Sequence, residues 1–251
     1  MPENLPSQHF AHLRVHSEFS INDGLVTVSE LIDRLQALKM PAAAITDLAN
    51  LFGLIKFYSA ACKAGVKPVC GCDVLIEDEA GVQTRLVLLA KDRQGYLNLI
   101  LLISALYTEA SHHVDAVLPL SRLRGHCDGL IALSGAQQSN IGAALLAEEP
   151  DRARVLLDQW RALFPDCFYL ELQRVGKADE EAYVEAALAL AHKAQCPVVA
   201  SNDVRFIHQE DFDAHEVRIC INERRTLDDS RRPHNYTEQQ YLKSAAEMTE
   251  L

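Results

Sequence analysis

The chain has 251 residues, 49% hydrophobic and 24% charged, with a formal net charge of −11 and a pI near 5.3. That length buries a sizeable core, and a single α/β domain of this size is ordinary. No apolar run reaches the ~18 residues of a membrane span, "MPENLPSQHF" lacks a signal-peptide pattern, and the acidic balance argues against a nucleic-acid surface on this chain.

A cytoplasmic location is the expectation. The cysteines Cys62, Cys70, Cys72, Cys127, Cys167, Cys196 and Cys220 are odd in number and follow no framework of spacings. They read as reduced thiols, mostly in apolar runs. No second ligand pair follows Cys70-Gly-Cys72, so that pair reads as core.

The first apolar run, "AHLRVHS", predicts a strand. Residues two apart in a strand share a face, so His12, Arg14 and His16 point together. Three histidines there would read as a metal site, but an arginine stands in the middle. His12 itself reads as a packed residue. After a turn at Asp23-Gly24, Thr27 and Glu30 form a capping box for a helix with Leu31, Leu35 and Leu38 as its stripe. "PAAAITD" is a short buried strand ending at Asp47, and a helix from Phe52 to Ala64 stops at Gly65. "KPVCGCDVLIE" and "TRLVLLAKD" predict a hairpin.

The βα theme then repeats. "RQGYLNLILLISALYTEA" is an apolar helix and "GLIALSG" a buried strand. "NIGAALLAEE" and "RARVLLDQWRALF" are helices, the second with Trp160 toward the core. "CFYLELQR" is a strand, "DEEAYVEAALALAHKAQ" a helix, "CPVVASND" a strand and "EDFDAHEVRICINE" a helix. His112-His113 reads as a loop pair. His126, His192 and His234 read as surface positions. The mixed-charge run 222–235 reads as a solvated loop. "TEQQYLKSAAEMTEL" stays in helical register to Leu251 with no stop signal, as if a longer chain continued. Six or seven strands alternating with helices predict a parallel sheet or barrel wrapped in helices.

In such folds reactive groups collect at the carboxyl ends of strands. Arg14, His16, Asp23, Asp47, Asp73, Arg85, Asp203 and Arg205 all fall there. Buried charge must be paired or metal-bound. Either ions sit among Asp23, Asp47, Asp73 and Asp203, or Arg14, Arg85 and Arg205 neutralise them.

The motifs "HLRVHSEFSINDGL", "AAAITDLANLFGLIKFY", "GVKPVCGCDV", "RLVLLAKDRQGYLNL", "LIALSG", "PVVASNDVRFI" and "DFDAHEVRICI", in this order, resemble the polymerase and histidinol phosphatase (PHP) family. The form they resemble is the one at the N-terminus of proteobacterial DNA polymerase III alpha subunits. The resemblance covers residues 1–251 as one domain. It implies a distorted (β/α)7 barrel of the PHP type, with up to three zinc or manganese ions at the strand ends of metal-binding members.

Against that family pattern this chain is depleted. Arg14 stands at a histidine position beside His16, and Asp23 matches a ligand. Leu48 replaces the histidine after Asp47, Asp73 shortens a glutamate, Arg85 replaces a histidine, Ala136 a cysteine, and Arg205 the histidine partner of Asp203.

Arginine stays protonated and is no metal ligand. Its fork pairs bidentately with carboxylates, so it supplies a fixed charge in a metal's place. The expectation is a site with no metal and no catalytic residue. A residual metal-dependent phosphoesterase, an exonuclease or pyrophosphatase using His16, Asp23, Asp73 and Asp203, is the alternative. The resemblance implies a parent chain that is a DNA-directed DNA polymerase, with magnesium in its other domains and DNA contacted through them. It implies a separate 3′–5′ proofreading exonuclease subunit as partner, and no membrane.

Overall fold

The computed structural model describes residues 10–108, 116–229 and 231–251. The His112-His113 pair lies outside them. The Thr27 hydroxyl accepts the Glu30 N–H and donates to its carboxylate at 2.6 Å, which starts α1 (Val28–Ala37) where the capping pair predicts. β1 (Ala42–Ile45) and α2 (Leu54–Ala64) follow, and α2 ends on left-handed Gly65. β2 (Lys67–Glu77) and β3 (Gln83–Ala90) form the predicted hairpin, with Asp73 opposite Val87 and Leu75 opposite Arg85.

α3 (Arg93–Thr108) lies against the turn before β5 (Leu130–Leu133) at Gly95, where a Cβ would stand 1.8 Å from the Gly129 carbonyl oxygen. Between them come β4 (Val117–Pro119) and α4 (Leu120–Arg124), which periodicity did not reveal because each is too short for one. The remaining elements are α5 (Asn140–Leu146), α6 (Pro150–Leu163), β6 (Phe168–Gln173), α7 (Glu180–Ala194), β7 (Val198–Ser201), α8 (Phe212–Glu223) and α9 (Ala245–Glu250). Trp160 is buried, as expected, and its indole N–H donates to Asn140 Oδ1 at 3.1 Å.

The sheet runs β1-β2-β3-β5-β6-β7, with β4 added to β2. Its pairs are parallel except that β3 is antiparallel to both neighbours. That inversion distorts an otherwise βα-wound sheet. The opening segment joins the two edges. His12 bridges Ala43 of β1, and Val15 bridges Val204 just past β7.

This segment is not the continuous strand that its pattern predicts. The Val15 N–H donates to the Thr46 hydroxyl and the Ser17 N–H to the Asp47 carboxylate. Side chains thus take bonds that a ladder would use, leaving isolated bridges. The C-terminal helix also differs, since only α9 is helical. Residues before it pair with the segment after β7: Arg205 N–H donates to Gln240 O and Leu242 N–H to Phe206 O. The Ser244–Glu247 capping box then starts the helix late.

Candidate functional site

Asp73 projects from the middle of β2 and has no exposure. Arg14 places both Nε and Nη2 on its Oδ2, at 3.0 and 2.7 Å. His16 Nε2 reaches the same oxygen at 3.0 Å. Arg85, carried back by the hairpin as expected, meets Oδ1 at 3.3 Å. Burial opposes ionisation of Asp73, but Arg14, Arg85 and His16 outweigh it and hold the carboxyl far below the usual range.

Arg14 also faces Asp203 Oδ1 at 3.2 Å and Glu171 Oε2 at 3.3 Å. Burial disfavours its charge, yet Asp203, Asp73 and Glu171 raise its pKa above the ordinary arginine value. Arg205 completes the group. It donates to Asp203 Oδ1 at 2.7 Å and to Asp23 Oδ2, and lies 2.6 Å from His16 Nδ1. Asp23 and Asp203, despite burial, are both held well down, Asp23 by Arg205 and then His16, Asp203 by Arg14 and then Arg205. His16 stands between Asp23 and Asp73. Burial and Arg205 oppose its charge, and the two carboxylates overcome them and push its pKa up.

Four of the positions named from sequence sit apart from these ion pairs. Asp47 was grouped with the acids that arginine would neutralise. Among the described residues no arginine pairs with it. It accepts instead from Ser17 N–H at 2.7 Å, Ser17 Oγ at 2.9 Å and Ser20 Oγ at 2.8 Å, and burial pushes its pKa up. Leu48 contributes backbone, bridging Asp73 and donating its N–H to Ser20 Oγ. Ala136 is buried in a single 3-10 turn. His12 leaves the face it was expected to share and bonds the Lys243 carbonyl at 2.8 Å, with burial lowering its pKa to about 4.

Sequence reasoning missed four participants. Glu171, central in β6, is fully buried and is the fourth acid in place of Asp47. Gln138 accepts from Arg14 Nη2 at 3.3 Å, Gln240 donates to Asp203 Oδ2 at 2.8 Å, and Lys177 Nζ lies 3.6 Å from that oxygen. An acid at the centre of an apolar strand was the available signal for Glu171. The other three lie in turns and carry none. His215, given no role from sequence, holds the Asp23 carbonyl through Nε2 at 3.0 Å.

The backbone at the strand ends is left-handed at Ala49 (φ +53°), Ala136 (φ +51°) and Asp203 (φ +49°). For alanine this conformation costs about 1–2 kcal/mol, a strain that collects at sites the surrounding fold over-determines. Gly135 before Ala136 is also left-handed, and a Cβ there would meet Arg85 O at 2.5 Å.

The donor set does not fit the multinuclear centre that the fold family implies. His16, Asp73 and Asp203 bring one atom each within 4.8 Å of one another, enough for a single ion. Arg14 Nε, however, lies 3.0 Å from Asp73 and 3.2 Å from Asp203. The cation position between those carboxylates is taken by a guanidinium, which cannot coordinate.

A βα-wound sheet joined edge to edge by its first segment, with charged side chains packed at its strand ends, defines a class of barrel. The family model "PHP domain" matches residues 12–175, and this chain belongs to that family. Over 244 residues, 96% of its length, it is 49% identical to the DNA polymerase III subunit alpha of Pseudomonas aeruginosa and 45% identical to that of Escherichia coli K12. It spans about a fifth, 21%, of the length of those relatives. A solved amidohydrolase from Chromobacterium violaceum shares the fold at a TM-score of 0.53 and 15% identity, over 83% of this chain and 96% of that one. Among the described residues no helix is long and apolar enough to cross a membrane.

Proposed function

We propose that residues 1–251 form the PHP domain of a replicative DNA polymerase III alpha subunit, and that this domain is a structural, non-hydrolytic module. The carrying observation is the Arg14 guanidinium seated between Asp73, Asp203 and Glu171. It supplies the positive charge that the buried acids require and removes the open coordination position that hydrolysis by a metal-bound water requires. The domain itself then needs no cofactor. Polymerase activity, magnesium and DNA contact belong to other domains of a longer chain, and the working location is the cytoplasm.

On this reading the domain supports the polymerase and docks a separate 3′–5′ proofreading exonuclease subunit. The chain's net charge of −11 suits a protein partner better than DNA. Size-exclusion chromatography of the chain with that exonuclease subunit tests the docking, and a shared earlier-eluting peak is the expected result. Separate elution contradicts it. The alternative, a residual phosphoesterase, draws on the three donors within 4.8 Å. Release of 3′ nucleotides or hydrolysis of pyrophosphate with zinc or manganese, lost in Asp203→Asn, would establish it in place of the structural reading.

A further inference from the structure

α2 and α3 differ in charge from the rest of the molecule. Neither carries an aspartate or glutamate, in a chain with 35 of them. Residues 48–72, which include α2, hold no acid at all, only Lys56, Lys63 and Lys67. Both helices also leave large apolar side chains in water. Phe52, Ile55 and Tyr58 around α2 and Leu97, Leu101 and Tyr107 on α3 are each at least 44% exposed. Single exposed hydrophobics are ordinary, whereas a contiguous set marks an interaction surface.

The set is contiguous. A groove of about 500 Å³ is lined by Ile55 and Tyr58 of α2, Arg93 and Tyr96 of α3, and Pro68 and Cys70 of β2 between them. Arg93, Leu97 and Leu101 follow at i, i+4 and i+8 and form one row along α3, so the apolar surface continues past the groove. The Phe52 and Tyr107 rings, 5.9 Å apart, join the two helical regions again. Among the described residues Asp92 is the one acid in the lining, and its Oδ1 accepts the Gly95 N–H at 2.9 Å. No carboxylate among the described residues pairs with its neighbours Lys91 and Arg93, which line the same groove. An apolar, aromatic centre with cations and almost no acids is complementary in charge to an acidic partner.

We propose that the α2–α3 groove docks a peptide segment of another chain, one with aliphatic or aromatic anchors and with aspartate or glutamate at its flanks. The anchors enter between Ile55, Tyr58 and Tyr96, and the flanking acids meet Lys91 and Arg93. α3 has 16 residues, about 24 Å of length, which suits an extended or helical segment better than a small ligand. The net charge of −11 and the aliphatic lining favour peptide over single-stranded DNA. None of the lining residues takes part in the barrel-end ion pairs, and the exonuclease docking proposed above is not required.

The test is selection of random displayed peptides, as long as α3, against the whole chain, followed by titration of the selected peptides. The expected peptides carry an acidic excess around aliphatic or aromatic anchors. They are expected to shift amides at residues 55–58 and 91–97 of the unmutated chain, a check independent of variant folding. Ile55→Lys, at a residue 69% exposed, removes an apolar contact while adding a cation. Arg93→Glu reverses a charge at a helix start, where an acid is favourable. Each is expected to weaken binding by about tenfold or more, with thermal melts unchanged.

No enrichment, selected peptides of net positive charge, shifts confined elsewhere, or unchanged affinity in either variant would each overturn the proposal. So would tighter binding of an oligothymidylate at these residues, or self-association of the chain through them in analytical ultracentrifugation.

Discussion

Arg14 places two donors of its guanidinium on a single oxygen of Asp73, at 2.7 and 3.0 Å, with both side chains fully buried. This pair joins β2 to the segment that bridges the two edges of the sheet. The site and the barrel's closure therefore depend on the same contact. A buried ion pair is weak evidence of net stabilisation, but breaking one strands its partner.

Arg14→Ala leaves Asp73, Asp203 and Glu171 short of one cation. The expected loss is about 3–5 kcal/mol, or roughly 10 °C in Tm for a domain of this size. Arg14→Lys keeps the charge and loses the fork, so it falls between the two. Thermal melts followed by circular dichroism check the order. A melt of Arg14→Ala matching the unmutated chain would contradict the account.

Asp73 and Asp47 are neighbours in the barrel with different duties. Asp73→Asn removes the counter-ion of Arg14, His16 and Arg85, with an expected cost of about 3 kcal/mol or more. Asp47 accepts only hydroxyl and amide donors among the described residues. Asp47→Asn retains one oxygen for them and costs about 1 kcal/mol. Urea denaturation of the two variants ranks them, and a costlier Asp47→Asn would refute the assignment.

Acid sensitivity comes first from histidine. Burial holds His12 near a pKa of about 4, below the ordinary histidine value of 6.5. Between those values the unfolded chain binds a proton that the folded chain does not, so stability falls as pH falls. The span is worth on the order of 3 kcal/mol. The lowered carboxyls of Asp23, Asp73 and Asp203 contribute above the unfolded value of about 4 and lose that contribution only as pH drops through their folded values. His16, with its raised pKa, adds stability as pH falls toward 6.5, so the His12 loss shows below that value, and Tm measured from pH 6.5 to 4.5 is expected to fall with a shallower slope in His12→Gln. An unchanged slope in that variant would place the effect elsewhere.

Gly95→Ala puts a methyl where the Gly129 carbonyl lies 1.8 Å away. α3 must lift from the turn before β5, at an expected cost of about 1–3 kcal/mol. Gly125→Ala, with open space around it, is the control in the same melt and is expected to stay within about 0.5 kcal/mol of the parent.

Much of this arrangement was legible from alternation and hairpin geometry. Arg14 and His16 share a face because they are two apart, and Arg85 meets Asp73 because β3 folds back on β2 in that register. Glu171 was passed over because "CFYLELQR" alternates only partly, so its inward side was undetermined until β6 had neighbours. Asp47 lacks the arginine partner offered for it because proximity to a strand end does not say which donors arrive, and Ser17 and Ser20 come from a 3-10 turn that no periodicity marks. The left-handed backbone at Ala49 and Ala136 left no trace, since alanine is no turn signal. The late start of α9 was legible in Ser244 and Glu247 and was overridden by the helical register before it.

On the proposed reading, guanidinium charge stands where the family's metals would. The direct measurement is metal content per chain after incubation with zinc and manganese followed by desalting. The expected stoichiometry is near zero, unchanged in Asp203→Asn. One or more ions held tightly per chain, and lost in Asp203→Asn, would contradict it.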